Sequence, residues 1–463
     1  MDEVKGKLSK KMKGIIIGLC ILLVIYIGFS VYFRNHFYFG STINGINVSG
    51  KSVEAADEKI SSQIESYTLE LEERGDVKEN IKASDIGLNY NSNGNTQKIK
   101  ENQNPYTWFI GIFANKDSSS SDIISYNDEK LKNYINTLSC FDKKNVVEPK
   151  SPTFKYDNNG YSIVDEVNGN KVNKDSLNDK ICEALKNMDN SINLEDKDCY
   201  EKPKYTKESK EVLAAKDTLG KYVNSKITYT FGDSNEVLDG QTIQDFLSVN
   251  DNFDVIIDEG KVKKYVNTLA GKHDTIGKTR DFTTTGGNVV KVSGGDYGWE
   301  IDKSKETQDL VVEIKEGQTI NKEPKYAQTA INHNANDIGN TYVEISLSQQ
   351  HLWFYKNGSL VVQGDIVTGS LSDNKATPAG TYKVEYKERN AVLKGANYAQ
   401  PVSFWMPFIL DEGIGMHDAT WRSDFGGSIY MSSGSHGCVN CPYNLADTIY
   451  NNIDSGTPVI CYY

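Results

Sequence analysis

The stretch SHGCVNC, residues 435–441, sets a histidine and a glycine directly before one cysteine and places a second cysteine three positions on. Three chemistries want such a cluster: a thiol nucleophile, a Cys-x-x-Cys redox pair, or a zinc site. The heptapeptide leaves the choice open, so the chain around it has to narrow it.

The surroundings read as β-structure. YVEISL (342–347) puts Val343, Ile345 and Leu347 on one face against Glu344 and Ser346, the period-2 pattern of a half-buried strand. HLWFYKNGSLVVQGDIV (351–367) continues it, with Asn357-Gly358 as a type I′ hairpin turn. GTYKVEY (380–386) and TPVICY (457–462) read as further strands, and a helix runs from Pro442 through Leu445, Ile449 and Ile453. SHGCVNC therefore lies just before a helix in a mainly-β C-terminal domain, residues 339–463.

Within that domain a second histidine, His417 in GIGMHDATWRSDFGG (413–427), precedes Ser435 by a gap of 17 residues. A zinc site could draw on His417, His436, Cys438 and Cys441, but the HxE of zinc deaminases and two matched ligand pairs are both missing. A redox pair would want a βαβ context, which the β-rich surroundings do not offer. No metal or cofactor is expected. The third reading is a thiol nucleophile: a free thiol is only a few per cent ionised at neutral pH, and a neighbouring imidazole, forming a thiolate–imidazolium pair, would take its proton. On a strand, His436 would point to the same side as Cys438. Cys441 reads as a small buried hydrophobe, with a Cys438–Cys441 disulfide under oxidation as the sharper alternative, and Cys461 reads as buried on the last strand.

His417, the gap, and Ser435, His436, Gly437, Cys438, Val439 and Asn440 fill every position of a pattern that closely resembles the L,D-transpeptidase (YkuD-like) catalytic domain. The resemblance extends to TGS (368–370), TPAGTY (377–382) and FWMPF (404–408), so it covers roughly residues 340–463. It implies Cys438 as nucleophile, His417 as base with its ring oriented by the backbone carbonyl of Asp418, and His436 in support. It further implies the amides of Gly437 and Cys438 as oxyanion donors, about 3–4 kcal/mol each, with Ser435 and Asn440 fixing the turn or the stem peptide. Trp421 and Arg422 are weaker candidates; Arg422 would meet a substrate carboxylate or remain a solvated loop residue. The implied reaction is attack on the third residue of a peptidoglycan tetrapeptide stem, release of D-Ala and a 3→3 cross-link, with carboxypeptidase or D-amino acid exchange as alternatives. Carbapenem β-lactams are the implied covalent inhibitors.

Upstream, GIIIGLCILLVIYIGFSVYF (14–33) is an uncharged run of 20 residues, enough to span about 30 Å of hydrocarbon. It is longer than the apolar region of a signal peptide and no small-x-small cleavage site follows. A transmembrane helix over 14–34 is expected, with the Lys-rich tail 1–13 in the cytoplasm and the rest facing the cell wall. The first 34 residues carry +4 of a net −12, which leaves −16 beyond them and disfavours nucleic acid and anionic lipid as partners. Seven cysteines are too sparse for a disulfide scaffold.

Between the span and the β domain the chain repeats. EKLKNYINTL (129–138) and GKVKKYVNTL (260–269) match at six of ten positions with apolar residues at helical spacing, and Phe154, Tyr161 and Phe282, Tyr297 follow them. Two α+β modules are expected, 35–205 and 206–338, with loops at DSSSSD (117–122) and 328–340. TINGINVSGKSVEAA (42–56), with a helix start at Ser52, and YGWEID (297–302) resemble peptidoglycan-binding modules of exported wall proteins; a purely structural stalk is the competing reading. A non-enzymatic wall-binding protein is the competing reading for the whole chain.

Overall fold

The computed structural model describes residues 9–114, 117–118, 123–157, 159–333, 336–395 and 398–463. Most of the expected tail, Ser119–Asp122 of the DSSSSD loop and two residues of the 328–340 loop lie outside the described residues. Asp117 and Ser118 are not a free loop: they pair in parallel with Thr42 and Ile43. The chain forms two units, Met1–Thr153 with Ile163–Ser209, and Phe154–Ser162 with Lys210–Tyr463.

The apolar run lies on a helix of 23 residues, Lys10–Tyr32, with 6% of its most apolar window buried. It begins before Gly14 because Lys10, Lys11, Met12 and Lys13 are good helix formers that continue the same hydrogen-bond ladder.

The repeat is present as a repeated order of elements. In the first unit the helix Val53–Glu65, capped by Ser52 Oγ on Ala55 N at 3.3 Å, leads into the hairpin Thr68–Glu73/Val77–Lys82, which Ser191–Asn193 joins in parallel. In the second, Lys210–Val223 leads into Lys226–Phe231/Ser234–Leu238, joined in parallel by Thr319–Lys322. The matched decapeptides are helical up to Ile135 in the first and throughout in the second, and they bury equivalent residues: Leu131, Ile135 and Leu138 in one, Val262, Val266 and Leu269 in the other. Each is followed by a further hairpin, Thr153–Asp157/Gly160–Val164 or Arg280–Thr283/Val289–Val292.

These second hairpins reach forward along the chain. Tyr156 and Tyr161 of the first pack on the core of the second module around Ile227, Tyr229 and Leu238. Phe282 and Val292 of the second share a cluster with Tyr297, Ile338, Ile460 and Tyr462, which joins that module to the C-terminal domain.

The C-terminal domain holds two sheets. The first runs β3-β2-β1-β9-β4, where β1 is Tyr342–Ser346, β2 His351–Lys356, β3 Ser359–Asp365, β4 Gly380–Lys383 and β9 Pro458–Tyr462. The second runs β5-β6-β7-β8, with β5 Glu388–Gly395, β6 Tyr398–Ile409, β7 Ile414–Asp418 and β8 Val439–Cys441. The helix α1, Tyr443–Asn452, starts after Pro442 and buries Leu445, Ala446 and Ile449 into a core shared with Phe354, Phe404, Phe408 and Met416. Asn357 and Gly358 have φ of 51° and 77°, the two left-handed positions a type I′ turn demands.

One expectation is corrected. β1 is not half-buried: Glu344 and Ser346 are both fully buried. The period-2 pattern correctly separates its two faces, but the polar face is covered by the hairpin 280–292 and by Tyr462 of β9. Glu344 accepts hydrogen bonds from Thr285 N at 3.0 Å, Thr285 Oγ1 at 2.6 Å and Tyr462 Oη at 2.6 Å, so its buried charge is well supplied with donors.

Candidate active site

β7 and β8 pair in parallel, with Met416 opposite Val439, His417 opposite Asn440 and Asp418 opposite Cys441. Since side chains alternate along a strand, Met416, Val439 and Cys441 enter the core on one face. His417 and Asn440 turn to the other face, where they line a pocket with Cys438, Ser435, His436, Trp421, Arg422 and, from β5 and β6, Leu393 and Gln400. Residues far apart in sequence thus meet across one strand pair.

His417 is 3% exposed, and its Nδ1 lies 2.9 Å from Asp418 O. A carbonyl can only accept, so Nδ1 carries the proton and Nε2 keeps its lone pair. Burial lowers the imidazole's affinity for a second proton, against a smaller opposing effect of the Asp418 carbonyl. The Trp421 ring stacks against His417 at 5.8 Å and Trp405 lies 5.9 Å away. The Asp418 carboxylate is turned away from the pocket and accepts from Ser403 N at 2.8 Å and Phe404 N at 2.9 Å, which ties β7 to β6.

Cys438 is partly exposed and rests on an apolar cluster of Ala391, Val402 and Trp405. Burial pushes its thiol up to about 11, against a smaller lowering by a backbone amide at Gly415. Burial thus acts on both groups in the direction of their uncharged forms. Cys441 packs in the core, not beside Cys438 on its cluster, which argues against the disulfide alternative. Cys461 is fully buried on β9.

The turn before Cys438 is clamped from several sides. Ser435 N donates to Thr368 O at 2.9 Å and Ser370 N to Ser435 O at 2.9 Å, while Ser435 Oγ donates to Cys438 O. Thr377 Oγ1 donates to Gly437 O at 2.6 Å and accepts from Gly369 N at 3.0 Å. The TGS and TPAGTY stretches therefore hold the cysteine loop. Gly437 has φ of 123°, a conformation that favours glycine, and a Cβ there would sit 3.0 Å from Ile414 Cδ1. The strand begins only at Val439, so His436 and Cys438 both lie in the turn before it and the expected alternation along a strand does not apply; His436 is exposed and lines the pocket from the turn.

A further correction concerns the amides. Gly437 N donates to Ser435 Oγ at 3.1 Å. Of the two expected oxyanion donors, only Cys438 N–H lacks an acceptor among the described residues.

Arg422 Nη2 donates to Gly434 O at 3.2 Å, its Nε is buried without a partner among the described residues, and burial lowers its pKa. A partly buried guanidinium with an unused donor at the pocket wall suits an anionic group. Thr377 was legible only as part of TPAGTY. Gln350, whose buried amide donates to Leu347 O and Thr368 Oγ1 at 2.7 Å each, and the pocket residues Leu393 and Gln400 carried no sequence signal.

Residues 340–461 match the YkuD family, "L,D-transpeptidase catalytic domain", and residues 79–193 and 205–335 match the family described as "Putative peptidoglycan binding domain". The chain is similar to a solved cysteine-to-serine mutant of the Enterococcus faecium L,D-transpeptidase, with 34% identity, 55% of this chain and 100% of that one covered, and a TM-score of 0.46. It is also similar to the E. faecium catalytic domain acylated by ertapenem, with 39% identity, 27% and 98% covered, and a TM-score of 0.25. The "Probable L,D-transpeptidase 3" of Mycobacterium tuberculosis is 29% identical over 93 residues, 18% of this chain; the chain spans about a third (33%) of that relative's length.

Proposed function

Because the chain belongs to the L,D-transpeptidase family, with a YkuD catalytic domain behind peptidoglycan-binding modules, we propose that it cross-links peptidoglycan stem peptides through an acyl-enzyme on Cys438. The observation that carries the reading is the register of β7 and β8. It brings His417, with a free Nε2, into the pocket that holds the Cys438 thiol.

Burial acts on both groups toward their uncharged forms, and general-base attack starts from those forms. As Sγ bonds to the carbonyl carbon of the third residue of a tetrapeptide stem, its proton passes to His417 Nε2. The carbonyl oxygen, now negative, meets Cys438 N–H. The bond to the terminal D-Ala breaks, and the imidazolium returns its proton to the departing amine, leaving a thioester. The side-chain amine of a neighbouring stem attacks that thioester and regenerates the thiol, giving a 3→3 cross-link. Asp418 works through its backbone carbonyl, which holds the ring, and Ser435 works by shaping the turn. Arg422 is assigned to a stem carboxylate, and Asn440 and Gln400 to the pocket wall. A carbapenem presents a carbonyl to the same thiol and is expected to acylate Cys438. The N-terminal helix is read as a membrane anchor that places the modules and the catalytic domain outside the membrane, on the wall side.

The test is muropeptide analysis of residues 35–463 and of Cys438→Ala after incubation with disaccharide-tetrapeptide. A cross-linked dimer lacking one D-Ala, absent with the Ala variant, supports the reading. Tripeptide alone would recast the enzyme as a carboxypeptidase, and neither product from a folded, reduced protein would leave wall binding as its role.

A further inference from the structure

A second apolar surface lies in the first unit, far in sequence from the catalytic domain. From Asn102 to Asn115 the chain carries no charged residue. In PYTWFIGIF (105–113), Tyr106 is 50% exposed, Phe109 47%, Ile110 59% and Phe113 89%. A contiguous run of large apolar side chains in solvent marks a surface that meets something other than water.

The same segment grips the C-terminal end of the apolar helix. Tyr26 Oη donates to Tyr106 O at 2.9 Å and Arg34 Nη2 to Tyr106 Oη at 2.8 Å. The Trp108 ring lies 4.9 Å from that of Phe29 and 6.0 Å from that of Phe33. Lys100, itself buried, donates from Nζ to Phe33 O at 2.8 Å, so the neighbouring chain caps the helix end. The position of the segment along the helix is therefore defined.

That position sets its depth. Tyr26 precedes Phe33 by two helical turns, about 10 Å along the axis. If the hydrocarbon runs from Gly14 to Phe33, a segment seated on Tyr26 and Phe29 lies below the headgroups, at the depth of about 5–10 Å where interfacial elements insert. Its chemistry suits that level. Tyr and Trp favour the interface, none of the segment's own side chains is charged, and part of its backbone is satisfied internally: Ile110 N and Gly111 N donate to Thr107 O at 3.0 Å and Ile112 N to Trp108 O at 2.9 Å.

We propose that residues 105–113 make a membrane contact of their own, an aromatic wedge among the lipids of the leaflet at the Phe33 end of the helix. The proposal rests on reading Lys10–Tyr32 as a membrane span. Such a wedge would hold the base of the first module at the membrane by two points rather than one.

The test places the photocrosslinker p-benzoylphenylalanine in the full-length protein at Phe113, at Val24 on the helix, or at Val289, which are 89%, 69% and 64% exposed. The protein is reconstituted in vesicles of dioleoyl phosphatidylcholine and dioleoyl phosphatidylglycerol, illuminated and read by intact mass. Lipid adducts at positions 24 and 113 but not 289 are expected. An adduct at 24 without one at 113 overturns the wedge while the span survives. No adduct at either overturns both, and a protein adduct at 113 would assign the surface to a protein partner instead.

Discussion

At Cys438 and His417 burial works against charge on both groups: it pushes the thiol up to about 11 and lowers the imidazole. Because a protonated ring cannot accept the thiol's proton, acylation by a carbapenem should hold steady through neutral and mildly alkaline pH. It should fall only as pH drops through a His417 pKa that lies below the ordinary 6.5. A rate profile that instead falls already above 6.5 would contradict this assignment. His417→Ala should slow acylation by about 10²–10⁴-fold in stopped-flow measurements while the fold persists by circular dichroism. Gly437→Ala would force an alanine into φ of 123° against Ile414, so it should cost about 1–3 kcal/mol in thermal unfolding and misplace the nucleophile. Cys438 and His417, which line one pocket, stand out in the sequence because the chemistry proposed for them demands particular residue types. The commitment of the Gly437 amide to Ser435 does not, since it depends on the path of one turn.

Among elements, β1 and the hairpin 280–292 are read most differently with the fold in hand. Polar alternation in YVEISL suggested a wet face, yet Glu344 is sealed beneath Thr285, 59 residues away, and Tyr462, 118 residues away. No local pattern could reveal partners at those separations. Removing one donor leaves a buried carboxylate short of a hydrogen bond. Thr285→Val should therefore destabilise the second unit by about 1–3 kcal/mol, seen as a lowered denaturation midpoint. Arg280 reinforces the junction: its Nε and Nη2 donate to Asp337 at 2.9 and 2.7 Å, and Nη2 also donates to Tyr297 O at 2.9 Å. The loop 328–340, read from composition as a linker, is thereby pinned at Asp337.

For the whole molecule, the second module and the catalytic domain share one apolar cluster, in which Phe282, Val292 and Tyr297 are 6%, 2% and 1% exposed. A chain cut after residue 338 would uncover that cluster, so it should sediment as aggregate, whereas residues 35–463 remain soluble in analytical ultracentrifugation. Wall affinity is for the same reason best measured on the uncut exodomain carrying Cys438→Ala, by co-sedimentation with purified sacculi. By itself the sequence determined the apolar helix, the duplication of an α+β module and the mainly-β C-terminal domain with its family motif, because hydrophobic length, residue-by-residue repetition and a contiguous motif are written locally. Only the tertiary structure decided that burial acts against charge on both Cys438 and His417, that the Gly437 amide is committed to Ser435, that Glu344 is interior and that each module lends a hairpin to its C-terminal neighbour. Those outcomes depend on desolvation and on hydrogen-bond partners distant in the chain, which exist only once the strands and hairpins have packed.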